Sequence, residues 1–352
     1  MKKLIAFCLS AVLLCVPILT GCQGQEKKEV LYVYNWGEYI DEDLKAEFEK
    51  EFGIKVVYDT FATNEEMYPK VEADPSLYDV ICPSEYMVEK MMRNGLLQKI
   101  DKTKLTNYGN LNKSLMSVLD EYIDPGNDYM VPYCWGTVGI IYNTKLVDEE
   151  PKSWNILWDE KYKGSILMQD SVRDAFMIAQ EILGYSVNET DKAHLQECAD
   201  LLKKQKPLVK GYGIDEIRET MIAGDTAFGV VYSGEYLYCT GEEEGNPDLA
   251  YVVPEEGTNV WYDGWVITKG AKNVDNAHKW IDFLLRGEVA YRNFDYITYS
   301  TPNDAAKEFI DEELLNDPAV FPSDEEIAKY EMYKYLGEEV EDLYYELWKT
   351  VK

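Results

Sequence analysis

Histidine is almost absent from this chain: His194 and His278 are the only two among 352 residues. His194 falls in a polar helical stretch and His278 near the start of another, and both read as surface residues outside any catalytic constellation. No GxxxxGK[ST], HExxH or GxSxG occurs, which removes phosphate-cradling, zinc-peptidase and nucleophile-elbow chemistries. Ser233 follows an apolar run, but Val231-Tyr232-Ser233-Gly234-Glu235 lacks the elbow's glycine spacing. Positive charge is scarce as well. The chain carries 35 Lys and Arg against 65 Asp and Glu, for a net charge of −30. That balance repels nucleic acid and anionic membrane surfaces and favours cationic partners. No CxxC pair, internal repeat or low-complexity block is present. The acidic run Glu242-Glu243-Glu244 reads as a solvated surface.

The most apolar stretch, the 16 residues 4–19, is shorter than the ~20 needed to cross a bilayer. Lys2 and Lys3 precede it and Leu19-Thr20-Gly21-Cys22 ends it. The segment reads as an export leader over 1–21 whose terminus resembles a bacterial lipobox, with Cys22 as the lipidated first residue of the mature chain. Residues 22–29 form a polar, lipid-anchored tether. Removing 1–21 from 352 leaves 331 residues, with 33 basic against 65 acidic ones. That length suits two lobes of ordinary size. Cys82, Cys134, Cys198 and Cys239 lie beyond the leader with no metal-ligand spacing. An exported compartment permits disulfides, and buried thiols are equally compatible with the pattern.

Val30-Leu31-Tyr32-Val33-Tyr34-Asn35-Trp36-Gly37-Glu38-Tyr39 organises the rest of the chain. An apolar, β-branched and aromatic run stops at Asn-Trp-Gly, and a helical pattern begins near Asp41 and closes at Gly53. Residues 54–58 and 78–82 read as further strands, and 64–71 and 85–93 as helices. Three strand–loop–helix units predict a doubly wound α/β sheet. Residues 130–143 read as an extended crossing into a second α/β series. Its strands are 165–168, 227–232 and 249–253, and its helices are 174–183, 192–204 and 215–223. Residues 260–267 return to the first lobe, 276–285 are helical, and the tail from 323 to 352 reads as helical, with Tyr344, Leu347 and Trp348 on one face. Two lobes joined by several crossings imply a hinge and an interlobe cleft.

Aromatic and acidic residues collect at the strand ends. Trp36, Glu38 and Tyr39 follow the first strand, and Ser84 and Tyr86 follow the third. Asp170 and Asp174 bracket a strand–helix turn. Tyr232 and Glu235 end a central strand of the second lobe, and Trp261 and Asp263 sit on the return crossing. Aromatic faces attract ammonium groups by ~0.5–2 kcal/mol each, and carboxylates accept charge-assisted hydrogen bonds from them. The set points to an extended organic polycation.

Four segments then carry a resemblance. They are Tyr34-Asn35-Trp36-Gly37-Glu38-Tyr39-Ile40, Ile81-Cys82-Pro83-Ser84-Glu85-Tyr86-Met87-Val88, Val131-Pro132-Tyr133-Cys134-Trp135-Gly136-Thr137 and Tyr299-Ser300-Thr301-Pro302-Asn303. In order, and over essentially the whole mature chain, they resemble the polyamine-binding lipoproteins of spermidine/putrescine ABC importers. The resemblance implies a type II periplasmic-binding-protein-like fold. Lobe 1 would be 30–137 and 262–305, and lobe 2 would be 138–261 and 306–352. It further implies a monomer, anchored at the outer face of the cell membrane or in the periplasm. Such a protein captures an amine and delivers it to a permease, with no enzymatic activity and no cofactor of its own. Trp36, Tyr39, Ser84 and Tyr86 stand at the family's first-lobe contacts. Trp261 and Asp263 stand in its Trp-x-Asp, and Asp174 stands where spermidine-preferring members carry a Glu. Three positions depart. Ser171 replaces an Asp, with Asp170 beside it; Tyr232 replaces a Trp; and Tyr333 replaces a Gln. They leave the choice between putrescine, spermidine and a longer amine open. Other readings are a ferric-iron or sugar-binding protein of the same fold, or an extracellular hydrolase using Asp170 and Asp263.

Overall fold

The computed structural model describes residues 29–214, 216–241 and 245–352. The leader, the lipidation position Cys22, most of the tether and Glu242-Glu243-Glu244 lie outside them. Among the described residues no helix is long and apolar enough to cross a membrane.

The chain opens with three strand–helix units: β1 (Val30–Trp36), α1 (Glu42–Phe52), β2 (Lys55–Phe61), α2 (Asn64–Ala73), β3 (Val80–Ile81) and α3 (Glu85–Arg93). Local chemistry sets the boundaries of α1. The Asp41 carboxylate accepts the Asp43 N–H at one end, and Gly53 takes φ 69° at the other, a region in which a Cβ is strained. Leu44 and Phe48, four residues apart, are fully buried beneath it. β1 runs parallel to β2 on one side and β3 on the other, as right-handed β-α-β crossovers require. β4 (Leu97–Gln98), α4 (Lys113–Tyr122) and the 14-residue β5 (Met130–Asn143) come next.

The second series is β6 (Ile166–Gln169), α5 (Val172–Leu183), α6 (Lys192–Gln205), β7 (Gly211–Gly213), α7 (Glu216–Ile222), β8 (Phe228–Tyr232), α8 (Ser233–Thr240) and β9 (Leu249–Val252). The chain returns through β10 (Val260–Thr268) and ends with α9 (Val274–Leu284), α10 (Gly287–Ile297), α11 (Glu312–Leu315), α12 (Asp324–Ile327) and α13 (Glu338–Val351). The strands join in the order β2-β1-β3-β10-β5-β8-β6-β7, with β4 on β10 and β9 on β5.

β5 is the shared member. Its first half, to Thr137, pairs antiparallel with β10, and its second half, from Val138, pairs with β8 and β9. The core divides at the same point. Val131 and Trp135 pack with Leu31, Val33, Trp265 and Trp280 in the first lobe. Val138 and Ile140 pack with Met168, Phe228 and Val230 in the second. A fully buried side chain of this kind contributes ~1.5–3 kcal/mol, so each half has an apolar centre of its own. This is the two-lobed type II arrangement.

Several expectations shift. The third strand is two residues, not five, because the β1 ladder ends there and Cys82-Pro83 turns toward α3. The tail is not one helix. After α12 the chain runs irregularly to Gly337, and α13 then buries Tyr344, Leu347 and Trp348 against Phe176, Leu195 and Cys198. Ile310 and Val320 pack on Phe294 of α10, and Phe321, Ile327 and Tyr330 lie against the first core. His278 is not a surface residue. Its Nε2 accepts the Asp101 N–H at 2.9 Å and its Nδ1 pairs with the Val274 carbonyl at 2.7 Å, so burial costs it no unpaired nitrogen. All four described cysteines are free and buried.

Gly264 comes directly after Asp263 at a register shift in the β10–β5 ladder. A Cβ there would lie 2.8 Å from the Val131 carbonyl oxygen and 2.5 Å from Met130, and the backbone oxygen cannot retreat as a side chain can. Gly264→Ala is expected to destabilise the chain by ~1–3 kcal/mol, read as a lower urea midpoint at unchanged slope.

Candidate functional site

β10 carries the first half of the site. Its register shift and an isolated bridge between Asp263 and Ser84 leave the Asp263 side chain inside the protein, 4% exposed. The Tyr39 hydroxyl donates to Asp263 Oδ2 at 2.8 Å and lies 2.9 Å from the Cys134 sulfur. Asp263 Oδ1 is buried with no hydrogen-bond partner. Burial pushes the carboxyl up to about 6, against hydrogen bonds from Ser84 and Tyr39 that favour its charged form. Desolvation prevails because two neutral donors replace only part of the water a carboxylate loses.

The loops after β1 and β3 wall this carboxylate. Trp36 donates its indole N–H to the Cys82 carbonyl at 2.8 Å and leans on Phe61. Asn64 donates to both the Ser84 and Tyr86 hydroxyls at 3.0 Å, and Tyr86 donates to Glu65 at 2.9 Å.

The second half comes from α5, β8 and the irregular segment before α13. Ser171 is the N-cap of α5, its hydroxyl accepting the Asp174 N–H at 3.5 Å. Asp174 thus sits in the first helical turn, 3% exposed. Tyr232 donates to its Oδ2 at 2.8 Å, and Tyr333 donates to its Oδ1 at 2.9 Å.

Aromatic rings join the two carboxylates. The Trp261 ring lies 5.7 Å from Tyr232 and 5.2 Å from Tyr299, and Tyr299 lies 5.7 Å from Tyr39. Tyr86 of the first lobe meets Tyr333 of the second edge-on at 6.4 Å. The lobes are therefore closed on each other. Across the same seam Lys90 of α3 pairs with Glu341 of α13 at 3.0 Å, and the Tyr335 N–H donates to Glu89 at 2.8 Å.

Ten of the thirteen expected residues take part in this assembly or its immediate support: Trp36, Tyr39, Ser84, Tyr86, Ser171, Asp174, Tyr232, Trp261, Asp263 and Tyr333. Asp170 does not. It is exposed and held by the Lys352 ammonium, which separates it from buried Asp263 and removes the carboxylate pair that the hydrolase reading needed. Glu38 is exposed in the turn after β1, at φ 50°. Glu235 is buried, but Tyr299 donates to it and Arg218 pairs with it at 3.1 Å, so its charge is answered within the protein. Tyr344, next to Tyr345 in α13, donates to the Glu189 carbonyl within the α13 packing. No cluster of His, Cys, Asp and Glu suited to a metal ion occurs among the described residues.

Sequence reasoning missed Tyr299, Cys134, Asn64 and Glu85 as site residues. Tyr299 and Cys134 lie inside two of the four family-like segments, where their motif membership was the available signal. Glu85 is fully buried, with Oε2 accepting the Tyr262 N–H at 2.9 Å, and burial pushes its carboxyl up to about 8. It anchors the N-terminus of α3 to the strand between Trp261 and Asp263.

A closed interlobe cleft with carboxylates at two ends and rings between them defines a solute-binding protein. The family model of bacterial extracellular solute-binding proteins matches residues 43–322. The spermidine/putrescine-binding periplasmic protein of Escherichia coli is 38% identical over 93% of this chain and 92% of its own. The putrescine-binding periplasmic protein SpuD of Pseudomonas aeruginosa is 32% identical over 100% and 99%. Among solved structures, a putative spermidine/putrescine ABC transporter protein of Listeria monocytogenes superposes with a TM-score of 0.86 at 41% identity, covering 92% of this chain and 98% of that one. The substrate-binding protein PotD of Streptococcus pneumoniae does so with 0.80 at 40%, over the same shares. The chain belongs to the bacterial extracellular solute-binding proteins, in the family of the spermidine/putrescine-binding proteins of ABC importers. Its members bind solutes and are not enzymes.

The raised Asp263 carboxyl has a consequence for stability without ligand. A carboxyl whose folded value lies above its unfolded one weakens the fold as pH rises, here between about 4 and 6. The loss is on the order of 3 kcal/mol by pH 8. Asp263→Asn is expected to melt a few degrees above the parent protein at pH 8, the gap narrowing as pH falls from about 6 and closing below about 4, in parallel thermal scans.

Proposed function

We propose that this protein captures polyamines of the putrescine/spermidine class outside the cell membrane and hands them to the permease of an ABC importer, whose ATPase supplies the energy. The observation that carries the reading is Asp263. A buried carboxylate with one oxygen unpartnered, set among Trp261, Tyr39 and Trp36, is costly until a cation reaches it. An ammonium supplies the charge and the hydrogen bonds together, and the rings take the methylene chain. The names of the relatives, spermidine/putrescine-binding and putrescine-binding, agree with this chemistry.

The ligand lies between Asp263 and Asp174. Trp36, Tyr39, Ser84, Tyr86 and Trp261 form the first-lobe wall, and Tyr232 and Tyr333 form the second, with Ser171 capping the helix that presents Asp174. Lobe 1 is 30–137 and 262–305, and lobe 2 is 138–261 and 306–352, the last segment resting on lobe 1 before Tyr333 carries it across. The lobes open and close about the β5 and β10 crossings. Export through the leader and lipidation at Cys22 keep a monomer tethered at the outer face of the membrane, next to its permease.

Isothermal titration tests the reading. Asp263→Asn is expected to weaken putrescine and spermidine binding by roughly 100-fold or more, as breaking a buried ion pair does; unchanged affinity would remove Asp263 from the ligand's partners. Affinity in the parent protein should rise with pH through about 6 and level off above it, because the amine stays protonated while Asp263 ionises. A thermal-shift panel of putrescine, cadaverine, spermidine and spermine should show at least one rise in melting temperature, and no rise with any of the four would contradict polyamine capture.

A further inference from the structure

The two carboxylates of the cleft are not equivalent. Asp263 is favoured in its charged form by Tyr39, which donates to Oδ2, and by Ser84, yet its Oδ1 has no partner. Asp174 has both oxygens taken, one by the Tyr232 hydroxyl and one by the Tyr333 hydroxyl. Burial, followed by the negative charge of Asp174, pushes both phenols well above their ordinary range. They remain protonated donors throughout the physiological pH range. The Arg173 guanidinium stacks 4.4 Å from the Tyr333 ring centre, so a fixed positive charge already stands beside this end. An ammonium arriving at Asp263 meets an unpartnered buried acceptor. One arriving at Asp174 must share oxygens that two neutral donors already satisfy, next to a cation.

Resting on the polyamine reading above, we infer that Tyr232 and Tyr333 are specificity-determining residues, which shield Asp174 so that the cleft demands a full positive charge only at the Asp263 end of the ligand. The class taken is a short aliphatic amine with one obligatory ammonium. The distal group sits among phenol hydroxyls, and its own charge contributes little. A donor held ready by the protein makes a buried acceptor tolerant of a ligand that brings none. Removing that donor makes the ligand's own ammonium necessary, since a buried acceptor left short of partners carries its full desolvation penalty.

Butylamine is putrescine without one amino group, so the ratio of the two dissociation constants isolates the distal charge. In the parent protein the ratio is expected to stay under about tenfold, measured by isothermal titration. In Tyr232→Phe and in Tyr333→Phe, each checked for folding by circular dichroism, the ratio is expected to grow by tenfold or more. That matches the ~1.5–3 kcal/mol of a hydrogen bond to a charged group. Damage to the fold would weaken both ligands together and leave the ratio where it was. A parent ratio of a hundredfold or more, or a ratio unchanged in the folded Phe variants, would overturn the inference. The two variants report independently if one fails to fold. If the parent protein binds putrescine, spermidine and butylamine not at all, it is the polyamine reading that fails, and that outcome is distinct from either result above.

Discussion

A carboxylate held out of water without a cation is the constraint on which the site depends. Water would solvate Asp263 far better than Tyr39 and Ser84 do, and burial therefore raises its carboxyl to about 6. The surrounding structure keeps that water out. The register shift at Gly264 sets the strand locally, Ser84 bridges to it from the start of α3, and Glu85 ties α3 to the neighbouring Tyr262 N–H. Tyr39, which donates to Asp263, packs with Trp261, Cys134 and Ile297. None of these contacts answers the charge, and that unanswered charge gives the cleft its affinity for a cation.

The second lobe treats its own buried acid differently. Asp174 is satisfied from within by two tyrosines, and its helix is capped by Ser171. One wall is therefore stable as it stands, while the other is incomplete. Outside the site, polar contacts cross between the lobes, Lys90 with Glu341 and Glu89 with the Tyr335 N–H. Partly exposed pairs of this kind contribute about 1 kcal/mol or less each. They hold a closed form without locking it, so a ligand's differential affinity can decide the balance between open and closed.

Residues whose environment is made locally are legible in the linear chain. α1 is visible in the Leu44–Phe48–Phe52 spacing and in the Asp41 and Gly53 boundaries, and Trp36, Tyr39, Trp261 and Asp263 stand out at strand ends. Asp170, Glu38 and Glu235 have the same composition and the same strand-end position, yet the structure turns one to Lys352, one to solvent and one to Arg218 and Tyr299. A strand end specifies where a side chain begins, not which charge it meets. α8 and α10 carry no such local mark. Neither has a side-chain cap at its start, and tertiary packing rather than a local signal decides that they are helical.

The sequence alone determined the class of chemistry: abundant aromatic and acidic residues at strand ends, few histidines, no enzyme motif, and two α/β series joined by long extended crossings. These depend on residue type and short-range periodicity, which need no knowledge of what lies across the fold. Only the tertiary structure decided which carboxylates are buried, that one Asp263 oxygen is left over, and that Tyr232 and Tyr333 converge on Asp174 from distant points of the chain. Charge pairing and desolvation are set by three-dimensional neighbours, and the linear order of residues does not contain those distances.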